Sequence, residues 1–141
     1  MPRSKKPVLL VEDDRVDAMT LQRAFRELGI PNRLQRAGTG EEALALLRDP
    51  ACERPCMVLL DLNMPRMGGL ELLRHLKTDR DLRRIPVIVM TSSPDEQDRL
   101  DSFGLGAAGY MLKPAEYDQL VEVVRAIDRY WTLSELPPNG D

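Results

Sequence analysis

Five short runs of strand-forming residues, PVLLV (7–11), RLQRA (33–37), CMVLL (56–60), IPVIVM (85–90) and AAGYML (107–112), alternate with segments whose apolar residues recur at helical spacing. No other feature restricts the fold as much. A strand followed by a helix, repeated, returns the chain through crossovers and lays its strands parallel. The central runs are apolar at nearly every position, as strands covered on both faces must be. The expected fold is an α/β doubly wound, five-stranded parallel sheet. The helical segments agree. In the first, Ala18, Leu21, Phe25 and Leu28 share a face before Gly29-Ile30-Pro31 stops the helix. In the second, Thr39 and Glu42 have the spacing of a capping box. The last, from near Ala115, carries Tyr117, Leu120, Val124, Ile127 and Trp131 on one stripe.

At 141 residues the chain can bury one good core and is short for two. Residues 7–131 are expected to form the single domain, with 1–6 a short N-terminal arm, 132–141 a tail, and no output domain attached. Its 20 basic and 23 acidic residues leave a formal charge of -3, and no basic stripe is interleaved with aromatics. Direct nucleic-acid binding is therefore not expected. No apolar run approaches the roughly 20 residues of a membrane span, and MPRSKK leads straight into a strand rather than a signal-peptide core. No membrane partner is expected, and the location is expected to be cytoplasmic. Cys52 and Cys56 flank Pro55 without a partner pair or a nearby His, the pattern of ordinary thiols. The single histidine, His75, sits in an amphipathic stretch and reads as a solvated helix residue.

In an open parallel sheet, ligands sit beyond the carboxyl ends of the strands, where the strand order reverses. The polar residues at those ends are Glu12, Asp13 and Asp14 after the first strand, and Asp61 and Asn63 after the third. Thr91, Ser92 and Ser93 follow the fourth strand, and Lys113 the fifth. Three adjacent carboxylates repel one another unless splayed into water or neutralised by a cation. Carboxylates from two neighbouring strand ends, faced by one Lys and a hydroxyl, suit a hard divalent cation such as Mg2+ together with a small anion. Alone, an acidic run after a strand is a helix start and a Thr-Ser-Ser is a cap. It is the whole set that points to a site.

These residues resemble the receiver domain of two-component response regulators nearly from end to end. The stretch DLNMPRMGG (61–69) carries that family's D-x-x-M-P-x-M-x-G run, with Asp61, Met64, Pro65, Met67 and Gly69 in place. Thr91 follows Asp61 by 30 positions and Lys113 by 52 (91 − 61 and 113 − 61), as the family spaces its hydroxyl and its lysine. The resemblance implies the (βα)5 flavodoxin-like fold with strand order 2-1-3-4-5. It implies that Asp61 accepts a phosphoryl group from a sensor histidine kinase, and that Mg2+ is held by Asp13, Asp61 and the backbone carbonyl of Asn63, with Glu12 acting through a metal-bound water. Thr91 and Lys113 would bind phosphoryl oxygens, Thr91 and Tyr110 would form the switch, and the Lys113–Pro114 bond would be cis. Such a chain is a phosphoacceptor signalling protein rather than an enzyme that turns over a substrate.

A haloacid-dehalogenase-like phosphatase also uses an Asp nucleophile with Mg2+, a hydroxyl and a Lys, and is the main alternative. Its second Asp would fall at Asn63, which cannot protonate a leaving group. A flavin carrier would need a phosphate loop after the first strand, where Glu12 and Asp13 repel phosphate. The wider opening VEDDRVDAMTLQRAF and the Tyr130-Trp131 end are similar to small response regulators that partner phytochrome-type, light-sensing kinases. Tyr130, Trp131, Leu133 and Leu136 continue beyond the sheet, so a homodimer is expected through the surface of the fourth helix, fifth strand and fifth helix, with Trp131 and the tail inside it.

Overall fold

The computed structural model describes residues 5–64, 66–92 and 94–133, with 132 and 133 described as backbone only. The elements follow in strict alternation: β1 (Val8–Val11), α1 (Arg15–Glu27), β2 (Leu34–Ala37), α2 (Gly40–Arg48), β3 (Met57–Leu60), α3 (Gly69–Thr78), β4 (Val87–Thr91), α4 (Glu96–Gly104), β5 (Gly109–Leu112) and α5 (Tyr117–Leu133). All five strands are parallel and run in the order β2-β1-β3-β4-β5. The expected fold and strand order are those observed.

Because side chains alternate across a strand, each strand feeds two cores. On one face Val8, Leu10, Met57, Leu59, Ile88 and Met90 pack with α1 and α5. On the other Leu9, Val11, Val58, Leu60, Val87 and Val89 pack with α2 and α3. The strands β1, β3 and β4 are buried at every position, which is why they read as unbroken apolar runs. The edge strands β2 and β5 are mostly half-exposed.

Local chemistry sets the helix starts. Asp14 caps α1, its carboxylate accepting from the N–H groups of Val16 (2.8 Å) and Asp17 (3.1 Å). Thr39 caps α2 by accepting from Glu42 N–H, and the Glu42 carboxylate returns to the N–H of Gly38 rather than of Thr39, closing the box one residue early. The final helix starts at Tyr117, later than the expected Ala115. Pro114 lacks an N–H, Ala115 and Glu116 form a bend, and the Glu116 carbonyl accepts from the N–H of Leu120. That helix also runs to Leu133, past the expected domain end at 131, while residues 134–141 lie outside the described residues.

Candidate functional site

The strand order reverses at β1, so the loops after β1 and β3 open side by side. Val11 is paired with Leu60, and the ladder continues one step as the N–H of Asp61 donates to the Val11 carbonyl. This register brings Glu12 and Asp61 together. Both are buried, at 3% and 5% exposure, whereas Asp13 is exposed. A carboxylate oxygen from each of Glu12, Asp13 and Asp61 lies within 4.8 Å of the others. Asp14 is turned away to cap α1. The acidic loop is clamped from β2: Arg36 donates Nε–H to the Glu12 carbonyl and a guanidinium N–H to the Asp13 carbonyl, each at 3.0 Å.

Lys113 reaches the same point from the other side. Its N–H donates to the Thr91 carbonyl (2.8 Å), extending the β4–β5 pairing beyond the last strand residue. Its ammonium lies 2.5 Å from Glu12 Oε1, 3.0 Å from Asp17 Oδ2 and 3.6 Å from Asp61 Oδ2. Burial works against the ammonium, but the Glu12 bond and the Glu12 and Asp61 charges outweigh it and hold Lys113 above the usual lysine range. Burial, helped by the Asp61 charge and opposed by the Lys113 bond, pushes Glu12 up to about 7. The other Glu12 oxygen accepts from the N–H of Asp14 at 3.2 Å. The Lys113–Pro114 bond is trans, not cis as the resemblance implied. Trans is the lower form of an X–Pro bond by about 0.5–1 kcal/mol, and from it the ammonium already reaches all three carboxylates.

The loop from Asp61 to Gly69 is shaped by close packing. Asn63 N–H donates to Asp61 Oδ1, and Asn63 Nδ2 to the hydroxyl of Thr91, both at 3.3 Å. Thr91 is fully buried at the end of β4. A Cβ on Gly69 would stand 2.5 Å from Leu62 Cα and 2.6 Å from the Asp61 carbonyl, so only glycine lets α3 begin against that backbone. A Cβ on Gly40 would stand 2.9 Å from Met67, whose side chain lies over the start of α2. Arg66 is left-handed at φ 61°, a conformation that costs a non-glycine residue about 1–2 kcal/mol. Pro65 and Ser93 lie outside the described residues. Beside Asp61 a cavity of about 200 Å³ opens between α1 and the loop after β5, with Glu12, Asp17 and Lys113 on its polar wall and Leu59 and Met90 on its apolar one.

The family model of the response regulator receiver domain matches residues 8–125. The chain belongs to that family. It is 37% identical over 127 residues to the probable methanogenesis regulatory protein FilR2 of Methanothrix harundinacea, covering 88% of this chain and 82% of that one. It is 35% identical over 130 residues to the response regulator Rcp1 of Synechocystis, covering 89% and 88%. Its fold is similar to that of the phosphorylated cyanobacterial phytochrome response regulator RcpA, with a TM-score of 0.87 and 36% identity over 94% of this chain and 98% of that one. It is also similar to the Mn(2+)-bound form of Rcp1, with a TM-score of 0.86 and 34% identity over 95% and 99%. The match is to a signalling family, and the phosphatase alternative has no support beside it.

In this receiver domain Tyr110 pairs with Val89, packs on the α2–α3 side of the sheet, and lines a shallow groove with Pro94, Arg99 and Leu112 at the N-terminal end of α4. Trp131 corrects the interface expectation: at 5% exposure it is packed within the α1–α5 core and presents almost no surface of its own to a second copy. A stripe at helical spacing gives the face a residue is on, and here that face meets the sheet. Tyr130 is exposed, and the larger apolar exposures around α4 and β5 are Leu100, Phe103 and Leu112. Sequence reasoning missed Leu100 and Phe103, because α4 buries only Ser102 and so has no apolar stripe to read. It also missed Asp17 and Arg36, whose partners are distant in sequence. His75 is exposed, in keeping with its reading as a surface residue. Among the described residues no helix is long and apolar enough to cross a membrane.

Proposed function

We propose that this receiver domain accepts a phosphoryl group from a sensor histidine kinase onto Asp61, in a reaction that requires Mg2+, and passes the change to a partner through the α4–β5–α5 surface. One observation carries the reading. Asp61, 5% exposed, converges with the Glu12 and Asp13 carboxylates and has the Lys113 ammonium 3.6 Å away, with the Thr91 hydroxyl tied to the same loop.

The residues fit a divalent cation. Three carboxylates converge, two from buried positions, and the exposed Asp13 leaves the front open to the water ligands that Mg2+ retains. Asp13 and Asp61, with the Asn63 carbonyl, would hold it, and Glu12, already committed to Lys113 and the Asp14 N–H, would act through a bound water. The metal supplies positive charge against the oxygens of the transferring group. The protein supplies the rest. A phosphoryl group attacked by a carboxylate meets like charge, so the work is positioning and neutralisation. Asp61 forms the new P–O bond as the P–N bond to the kinase histidine breaks, its electron pair staying on the imidazole nitrogen. Lys113 and Thr91 donate to the phosphoryl oxygens. Thr91, once drawn toward them, vacates space on β4 that the neighbouring Tyr110 can take, which alters the surface around α4 and β5.

The likeness to RcpA and Rcp1 supports a phytochrome-type kinase as the partner. The exposed Leu100, Phe103 and Leu112 support a homodimer through the α4–β5–α5 face. The net charge of -3 supports a protein without direct nucleic-acid binding, and a histidine-kinase partner is consistent with work in the cytoplasm. The test is a beryllofluoride titration in excess Mg2+ followed by amide NMR. The wild type is expected to shift resonances around Asp61, Thr91 and Tyr110. Asp61→Asn shifting in the same way would refute the assignment.

A further inference from the structure

Lys113 has one more carboxylate partner than the acceptor chemistry uses. Besides Glu12 and Asp61, its ammonium donates to Oδ2 of Asp17 at 3.0 Å. Asp17 belongs to the first turn of α1, so this contact ties that helix to the loop after β5. An ammonium has three N–H donors. In this structure Glu12 and Asp17 each take one at hydrogen-bond distance, while Asp61 at 3.6 Å takes none.

A phosphoryl group on Asp61 brings oxygens to which Lys113 must donate, so the ammonium, now 3.6 Å from Asp61, has to move toward them and away from the pair of carboxylates that holds it. The two bonds are not equal. The Glu12 side chain is 4% exposed, and stripping a buried carboxylate of its cation is costly. The Asp17 side chain is 46% exposed, and water can replace its partner at small cost. Asp17 is the partner to be released. Its negative charge also opposes the arriving anion, so both effects act in the same direction.

We propose that Asp17 is a positioning residue that holds Lys113 in its resting place and so sets how readily the ammonium passes to a phosphoryl group on Asp61. The inference rests on the acceptor reading of Asp61 and Lys113 given above. Removing Asp17 releases one of the two bonds that hold the ammonium in place, without touching the acceptor, the metal ligands or Glu12, and so favours the phosphorylated arrangement.

The experiment is a beryllofluoride titration of the full chain in saturating Mg2+, comparing the wild type with Asp17→Ala, Asp17→Asn and Asp14→Asn. Asp14→Asn removes the same charge from the same helix end but keeps a good cap and has no contact with Lys113. Half-saturation is expected at an about two- to fivefold lower concentration in Asp17→Ala, the range that an exposed ion pair commands. Asp17→Asn, which can still accept one bond, should lie between it and the wild type, and Asp14→Asn should match the wild type. Mg2+ affinity measured alone should not tighten in any of them. Damage to folding weakens binding, so tighter binding cannot arise from it. Unchanged or weaker binding in Asp17→Ala, or equal tightening in Asp14→Asn, overturns the inference while leaving the acceptor intact. A wild type that binds no beryllofluoride overturns both.

Discussion

The side-chain amide of Asn63 donates to the hydroxyl of Thr91 across 3.3 Å, so the loop after β3 and the last residue of β4 are tied by a side-chain bond beside Asp61. In that bond Thr91 is the acceptor, so it does not engage the O–H that would donate to a phosphoryl oxygen on Asp61. Thr91→Val keeps the buried shape and removes the hydroxyl. It should fold with a loss of about 0.5–1.5 kcal/mol, and lower beryllofluoride affinity by about ten- to hundredfold, the worth of a hydrogen bond to a charged group. Amide NMR should then find Tyr110 unresponsive even at saturation. A normal Tyr110 shift in the variant would remove Thr91 from the switch.

The glycine that begins α3 is fixed by contact rather than by turn geometry. Gly69→Ala would drive a methyl group to 2.5 Å from Leu62 Cα, so it should cost about 1–3 kcal/mol and weaken Mg2+ binding by moving the Asp61 loop. Gly104→Ala is the contrast. Nothing lies within 4 Å of a Cβ there, and the change should be neutral or stabilising by up to about 1 kcal/mol. Denaturant melts of both variants check the pair. Equal effects would mean that the close approach at Gly69 is not what holds the loop.

Glu12 links stability to pH. Its carboxyl is pushed from 4.5 up to about 7, first by burial and then by the charge of Asp61. Between those values the folded, metal-free protein binds a proton that the unfolded chain does not. Stability should therefore fall as pH rises through that window, by on the order of 1–3 kcal/mol, and level off above it. Urea titrations at a series of pH values without metal measure the slope. In Glu12→Gln the slope from this group should vanish, and its persistence would assign it elsewhere.

Much of this was legible in the residue order because burial on both faces writes itself into β1, β3 and β4 as unbroken apolar runs. The site was legible for a related reason. A parallel sheet delivers every strand's end to one side, so Glu12, Asp13, Asp61, Thr91 and Lys113 could be gathered from the strand ends alone. What stayed hidden depends on distance through space. Asp17 meets Lys113 across 96 positions and Arg36 meets the acidic loop across 23 or 24, and no local pattern encodes such pairs. The stripe on α5 marked Trp131 as facing something, but whether that was a partner or the chain's own sheet was a matter of packing.

Trp131 and Phe103 should accordingly behave in opposite ways. Trp131→Ala should cost about 3–5 kcal/mol of stability as a core truncation, without a specific effect on association. Phe103→Ser, at a site 50% exposed, should leave stability nearly unchanged and weaken the proposed dimer. Sedimentation and thermal melts of both variants, with and without beryllofluoride, separate the two. A wild type that stays monomeric under all conditions would exclude the dimer.

The assignment of Asp61 as acceptor is tested most directly by locating the phosphoryl group itself. The full chain is treated with a small-molecule phosphodonor and Mg2+, the acyl phosphate is trapped by borohydride reduction, and the modified residue is read by tandem mass spectrometry. The account predicts modification at Asp61 alone in the wild type and none in Asp61→Asn. Modification at Asp13 or any other carboxylate in the wild type, or unchanged labelling of Asp61→Asn, would contradict it.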